Sequence, residues 1–433
     1  MCEYTMLKKY DYKSLKKTEL QQLVTRNTDP NNAIQEIVQD IIQQVQQQGD
    51  TVLREYAAKF DKVQLDKLFL DADDIDALAA TIQRDQQRAL EIAFQNIHKF
   101  HSTQLKRERT VETMPGVKCW REIRPIEKVG LYIPGGSAVL PSTLLMLGIP
   151  ARIAGCKEIV VCSPPQSNGK INGFVAYCLK LLQINRIYLV GGAQAVAAMA
   201  FGTQSIPKVD KIFGPGNQFV TKAKSIIQGL TNVSIDMPAG PSEVLVIADE
   251  SANPAYVAAD LLAQAEHGID SQAVLVATTG TMVDAVNRQL EAQLAVLPRK
   301  ELAAKAIENS YAVVVDNLQE AIQFSNEYAP EHLILETEQW QALTRYISNA
   351  GSVFLGHLTP ESAGDYASGT NHTLPTSGYA RSYSGVSVDS FVKKITFQHI
   401  DQTGLQQIGS TVEILAELEG LQAHKNAISI RKK

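Results

Sequence analysis

The sequence predicts an α/β fold: two units built on parallel sheets, a helical N-terminal region and a small helical domain at the C-terminal tail. Three observations carry this expectation. From Val129 onward, short apolar runs alternate with Gly-rich turns and helical patterns, the order that produces a parallel sheet with crossover helices. A second series of the same grammar begins near Ser242. The length of 433 residues exceeds what one hydrophobic core organises, so two or three domains are expected.

The N-terminal stretch Met-Cys-Glu-Tyr-Thr-Met-Leu-Lys-Lys-Tyr has neither an apolar core nor a small-residue cleavage site. No window approaches the roughly eighteen apolar residues that span a bilayer, so a cytoplasmic protein with no membrane partner is expected. Ile34, Ile37, Val38, Ile41, Ile42 and Val45 recur at three- and four-residue spacing, preceded by Asn31 and Asn32 and closed by Gly49. That pattern predicts an amphipathic helix over 33–48 with both ends marked. Helices over 51–60 and about 83–101 follow, which makes the first hundred residues mostly helical packing material.

Val-Gly-Leu-Tyr-Ile at 129–133 then opens the first sheet and runs into Pro-Gly-Gly-Ser-Ala and an apolar helix from Pro141. Further strands are expected at 158–162, 186–190 and 211–213, the last two leading into Gly-Gly-Ala-Gln-Ala-Val and Gly-Pro-Gly-Asn. The second series places strands after Ser242 and at 272–278, 311–315, 332–335 and 351–355. After Ile400 only Val412, Leu415 and Leu418 keep helical spacing, before Gly420 and His424. Some thirty residues cannot bury a core alone, so this tail docks either on the main body or on another subunit.

Composition narrows the function. Hydrophobic residues at 45% and charged residues at 20% suit a soluble globular protein. The net charge of −5, with both signs interspersed, offers no basic stripe for nucleic acid. Five cysteines, Cys2, Cys119, Cys156, Cys162 and Cys178, show no C-x-x-C spacing and read as free thiols, mostly within apolar runs.

The stretch from Glu361 to Gly378 contains a single large aliphatic residue, Leu374. It cannot offset its own ordering entropy by apolar burial, so it is either a floppy loop or a site held by polar contacts and a ligand. Asp365 and His372 lie within it. Three strand-to-helix junctions, at 134–137, 191–194 and 214–217, place glycines where amides at a helix start can face an anion. Each alone reads equally as a tight turn, but together they would line one sheet edge, where α/β domains bind nucleotides or phosphates. Asp260, Gln264 and His267 form one polar stripe on a helix after Pro254. It serves either as a solvated face or as a pair of side chains aimed at a common atom. Glu331 and His332 enter a strand together and suit two different proton transfers. His98 and His101 share a spacing of three and read as structural. The donor types gathered here, imidazole, carboxylate and neutral amide, suit zinc or a similar borderline cation.

The residues at 130–136 (GLYIPGG), 191–195 (GGAQA), 213–217 (FGPGN), 236–243 (DMPAGPSE), 264–268 (QAEHG), 330–333 (PEHL), 361–372 (ESAGDYASGTNH) and 423–427 (AHKNA) resemble the histidinol dehydrogenase family over almost the whole chain. The resemblance implies a four-electron oxidoreductase of histidine biosynthesis. Such an enzyme converts L-histidinol to L-histidine through L-histidinaldehyde, with two hydride transfers to two NAD and one zinc per subunit. It places the zinc ligands on Gln264, His267, Asp365 and His424. His332 becomes the base for the hydroxyl proton and Glu331 the group that activates water. Ser242, His372 and Glu419 join these residues around the substrate, and Tyr132, Gln194 and Asn217 contact NAD. It also implies a homodimer in which the tail crosses to the partner and completes its site. The implied organisation is incomplete Rossmann-like: an accessory N-terminal segment at 1–25, a discontinuous substrate and zinc domain at 26–131 plus 241–386, an NAD-contacting domain at 132–240, and a tail at 387–433. Two other classes fit the residues less fully: a zinc hydrolase using Glu331 to activate water, and a two-lobed binding protein without catalysis.

Overall fold

The computed structural model describes residues 6–26, 32–106, 108–135, 140–238 and 240–432. The expected α/β architecture is present, with two six-stranded sheets, many helices and a helical C-terminal end. The upstream sheet runs Phe69–Leu70, Ile187–Leu189, Glu158–Ser163, Lys128–Tyr132, Lys211–Phe213, Ser234–Ile235, parallel except at its first pair. The downstream sheet runs Lys8–Asp11, Tyr311–Val314, Gln272–Ala277, Glu243–Ala248, His332–Glu336, Ser352–Leu355, all parallel. Both are wound alike. After an edge strand, Lys8–Asp11 or Phe69–Leu70, the chain enters each sheet at a central strand, steps outward on one side, then returns to the centre and steps outward on the other. The return creates a switch point between Lys128–Tyr132 and Lys211–Phe213 in one sheet, and between Glu243–Ala248 and His332–Glu336 in the other.

Parallel strands covered on both faces read as continuous apolar runs, and Glu243–Ala248 is buried at every position. Helix Asn32–Gln48 buries Val38, Ile41, Ile42 and Val45 and leaves Ile37 exposed. Each buried side chain contributes about 1.5–3 kcal/mol, which is what seats the helix. The proposed cap Asn31 lies outside the described residues. The helix expected at 51–60 is Asp50–Tyr56 continued by a π-helical turn, Ala57–Asp61, and the one at 83–101 is Arg84–His101.

Three parts of the organisation differ from the sequence expectation. The sequence expectation groups residues 26–131 with the unit holding 241–386, yet helix Asn32–Gln48 packs on Gly192–Phe201 and Gln218–Leu230, and Phe69–Leu70 and Lys128–Tyr132 are strands of the upstream sheet. An apolar stripe says that a helix packs but carries no address for its partner. The N-terminal segment is not separate: Lys8–Asp11 adds an edge strand to the downstream sheet. Its Lys-Lys-Tyr-Asp sequence has no apolar run to announce a strand. Third, Val111–Met114, Val117–Pro125 and Val392–Ile400 form an antiparallel sheet that period reading missed, because its mostly exposed strands lack an apolar run. The helices Gln402–Leu418 and Gln422–Ser429 pack on one another and leave Ile414, Leu415, Leu418 and Ile430 exposed. Among the described residues no helix is long and apolar enough to cross a membrane.

Candidate active site

His332 is the first residue of its strand, next to Glu243, which opens the neighbouring strand across the switch point. The peptide groups of Glu243 hold both proton-transfer candidates. Its N–H donates to Glu331 Oε2 at 2.9 Å, and its carbonyl lies 3.0 Å from His332 Nδ1. A carbonyl oxygen only accepts, so Nδ1 carries the proton. In the neutral ring Nε2 is therefore the free lone pair. It lies 3.6 Å from Asp365 Oδ1 and has no hydrogen-bond partner among the described residues.

The surroundings are strongly anionic. Glu331 and Glu361 are buried, and burial pushes each carboxyl up to about 8. Burial works to lower the pKa of His332, but the carboxylates of Glu361, Glu331 and Asp365 outweigh it and hold the ring well above the usual imidazole range. Asp365 stays below the usual carboxylate range: burial opposes this, and the imidazole of His332 overcomes it.

Asp365 is not on a loop, as the composition of 361–378 suggested, but on the short helix Glu361–Tyr366, one turn after Glu361. That helix packs on Pro254–Ala265, whose last turn carries Gln264. One donor atom from each of His267, Glu361 and Asp365 falls within a 4.8 Å cluster able to hold a metal ion. Among the described residues Gln264, fully buried, has no partner for either amide atom, and Glu361 Oε2 has none either. Unpaired buried polar atoms are costly, so finding them on two helices that pack together marks a site that takes a partner. Imidazole, carboxylate and amide oxygen fit a zinc-like cation.

His372 Nδ1 donates to the Asp365 carbonyl at 3.0 Å, and burial keeps its pKa low, so Nε2 accepts from Thr143 Oγ1 at 3.3 Å. Ser242 precedes Glu243 and receives the Gln272 N–H on its carbonyl at 3.1 Å. His424 and Glu419 do not join the cluster within one chain. They lie exposed in the C-terminal helical pair, and among the described residues no hydrogen bond or ion pair links either to it.

The described residues of the three Gly-rich junctions follow the carboxyl ends of upstream strands. Tyr132 ends its strand, and its hydroxyl accepts the Gly192 N–H at 3.1 Å; burial raises its pKa to about 12. Gln194 is buried in the first turn of Gly192–Phe201. Asn217 caps Gln218–Leu230, accepting from Phe219 N at 3.1 Å and Val220 N at 3.2 Å. A cleft lined by Phe60, Asp61, Pro134, Gly135 and Pro164 opens on the same sheet. Gly136 and Ser137 lie outside the described residues. Cys156, Cys162 and Cys178 are buried, and burial raises their thiols, in keeping with inert side chains.

Sequence reasoning missed Glu361, Glu243 and Arg26. Glu361 had a signal, since it stands four residues before Asp365 and so on the same helix face. The others act through tertiary contacts that spacing does not show.

The chain matches the histidinol dehydrogenase family over residues 24–432. It is 52% identical over 426 residues to a histidinol dehydrogenase of Bacteroides thetaiotaomicron, covering 98% of this chain and 99% of the relative. It is also 52% identical over 433 residues to a chloroplastic histidinol dehydrogenase of Arabidopsis thaliana, covering 99% and 92%. A crystal structure of histidinol dehydrogenase from Elizabethkingia anophelis superposes with a TM-score of 0.95 at 51% identity, covering 98% of each chain. Likeness of this extent, in sequence and in fold alike, makes the chain a member of the histidinol dehydrogenase family of oxidoreductases.

Proposed function

We propose that the chain oxidises L-histidinol to L-histidine through L-histidinaldehyde, delivering two hydrides to two NAD with one zinc ion bound per subunit. The observation that carries this is the pairing of an unpartnered His332 Nε2 with the orphaned donors of Gln264 and Glu361 beside Asp365. Bound zinc would orient the substrate, and NAD would accept hydride. Gln264, His267 and Asp365 hold the metal from one chain, with His424 supplied by a second copy.

A cation beside Asp365 and Glu361 would offset the carboxylates that hold His332 protonated, and the neutral ring would then take the hydroxyl proton on Nε2 while Glu243 keeps Nδ1 protonated, so the alcohol can release hydride and become the aldehyde. Glu331 then takes a proton from water as it adds to the aldehyde, and the hydrate releases the second hydride. A carboxyl near 8 sits close enough to neutrality to accept and return that proton. Ser242, His372 and Glu419 orient the substrate. Tyr132, Gln194 and Asn217 receive NAD at the switch point of the upstream sheet.

The exposed apolar residues of the tail helices support a homodimer in which the tail docks on the partner and brings Glu419 and His424 to its site. Absorbance at the NADH band tests the reaction: two equivalents per histidinol are expected, abolished by chelation and restored by zinc. One equivalent, or product formed without NAD, overturns the proposal, and product without NAD is what a zinc hydrolase would give.

A further inference from the structure

The Glu243 backbone bonds the side chains of both Glu331 and His332, and its own side chain is tied down. Arg26 Nε and Nη2 each reach a Glu243 carboxylate oxygen at 2.8 Å, with the two side chains 9% and 1% exposed. The same guanidinium lies 3.6 Å from the centre of the Tyr328 ring and donates to the carbonyls of Val24, Tyr328 and Ala329. Glu243 Oε1 also accepts the Ser377 N–H at 2.9 Å. Two residues bonded to this pair, Ala329 and Ser377, hold positive φ of 53° without being glycine. Such backbone persists only where its surroundings impose it.

We propose that Arg26 and Glu243 are a positioning pair for the reaction: by fixing the Glu243 peptide groups they hold Glu331 in place and His332 in the tautomer that presents Nε2. This rests on the dehydrogenase reading for what Nε2 acts upon. The alternative is a staple that merely anchors the segment ending at Arg26. A staple would lower stability and leave the folded enzyme with a normal kcat. A fork–carboxylate pair has the rigidity that positioning requires, which a lysine point charge lacks.

The test uses the full-length, zinc-loaded enzyme with Arg26→Lys, Glu243→Gln and Arg26→Ala. In positioning, kcat falls by about 10- to 100-fold with KM for histidinol and NAD nearly unchanged. Methylguanidine restores part of the activity of Arg26→Ala but none to Arg26→Ala/Glu243→Ala. A readout independent of turnover is the ring 15N spectrum of His332, assigned with His332→Asn, at a pH where the ring is neutral. Wild type should show the Nδ1–H tautomer alone and the variants a mixture. Folded variants with wild-type kcat, losses confined to KM, or an unchanged tautomer overturn the proposal. Should Arg26→Ala not fold, Arg26→Lys and the spectrum decide. If wild type itself makes no NADH, the functional reading fails, while the tautomer still reports on the pair.

Discussion

Lys224 and Asp236 form a second buried ion pair, 2.5 Å apart with side chains 4% and 2% exposed, and both ends grip the same glycine. Lys224 Nζ donates to the Gly214 carbonyl at 2.9 Å, while Asp236 accepts the Gly214 N–H and the Met237 N–H, each at 2.8 Å. Lys224→Met keeps the apolar stem but strands the Asp236 carboxylate in the interior and orphans the Gly214 carbonyl. Breaking a buried pair from one side costs about 3–5 kcal/mol. In a cooperative unit of about 200 residues each kcal/mol shifts Tm by about 2–4 °C, so a fall of roughly 10 °C is expected. Lys224→Met/Asp236→Leu should recover only part of this, since each N–H left unpaired at Gly214 and Met237 costs about 1–3 kcal/mol.

Beyond this pair, Thr221 Oγ1 donates to the Gly216 carbonyl at 3.4 Å. Gly214 sits at φ +125°, and a Cβ there would stand 2.1 Å from the Tyr132 carbonyl oxygen. Asn217 is three residues on, so the KM for NAD should rise along with the loss of stability. Calorimetry on the purified variant, with NAD titration below its Tm, reads both effects. Lys224→Met melting within about a degree of wild type would show that the pair contributes little and refute the reasoning.

Glu331→Gln should spare alcohol oxidation more than aldehyde oxidation and His332→Asn the reverse; equal losses in steady-state assays of the two half-reactions would count against separate roles. Mixed dimers of Asp365→Ala and His424→Ala chains should regain one intact site, and no recovery would favour a tail docked in cis. His101 is buried, and burial with the nearby charge of His98 lowers its pKa to about 4. The unfolded chain, titrating near 6.5, binds more protons in between, so the stability contribution is full at higher pH and is lost as pH falls from about 6.5 towards 4. The loss is at most roughly 3 kcal/mol. Urea titrations at about pH 7.5 and pH 5 should show a smaller difference for His101→Gln than for wild type; an equal difference removes His101 as the source.

Periodicity located the long helices and nearly every parallel strand, because a covered strand or an amphipathic helix writes its burial into consecutive residues. It failed where burial is partial. The strands Val111–Met114 and Val392–Ile400 are mostly exposed, and Lys8–Asp11 joins its sheet with no apolar run, Tyr10 alone meeting the Tyr311 ring. At the site, adjacency singled out Glu331 and His332, and the polar stripe singled out Gln264 and His267, although the helix ends at Ala265 and His267 lies in the bend beyond it. Glu243 and Arg26 were not legible, since their partners lie 88 and 217 residues away.

The proposed reaction needs groups at opposite strand ends to share one space. Glu243 and His332 open their strands in the downstream sheet, whereas Tyr132, Gln194 and Asn217 follow the carboxyl ends of the upstream strands. The stretch 361–378 joins the two. Asn371 Nδ2 donates to the Met146 carbonyl at 2.6 Å and approaches His101 Nε2, His372 meets Thr143, and Asn96 Nδ2 donates to the Ala367 carbonyl at 2.9 Å. On the other side Thr376 Oγ1 accepts the Gly240 N–H, and the Ser377 N–H reaches Glu243. A segment with almost no apolar content is thus ordered by hydrogen bonds across both sheets, none of them made by a side chain assigned to zinc. Metal should therefore tighten only part of it. In hydrogen exchange, chelation is expected to expose amides of 264–268 and 361–366 while 371–378 stay protected. Loss of protection throughout 361–378 would instead make zinc the element that orders the whole seam.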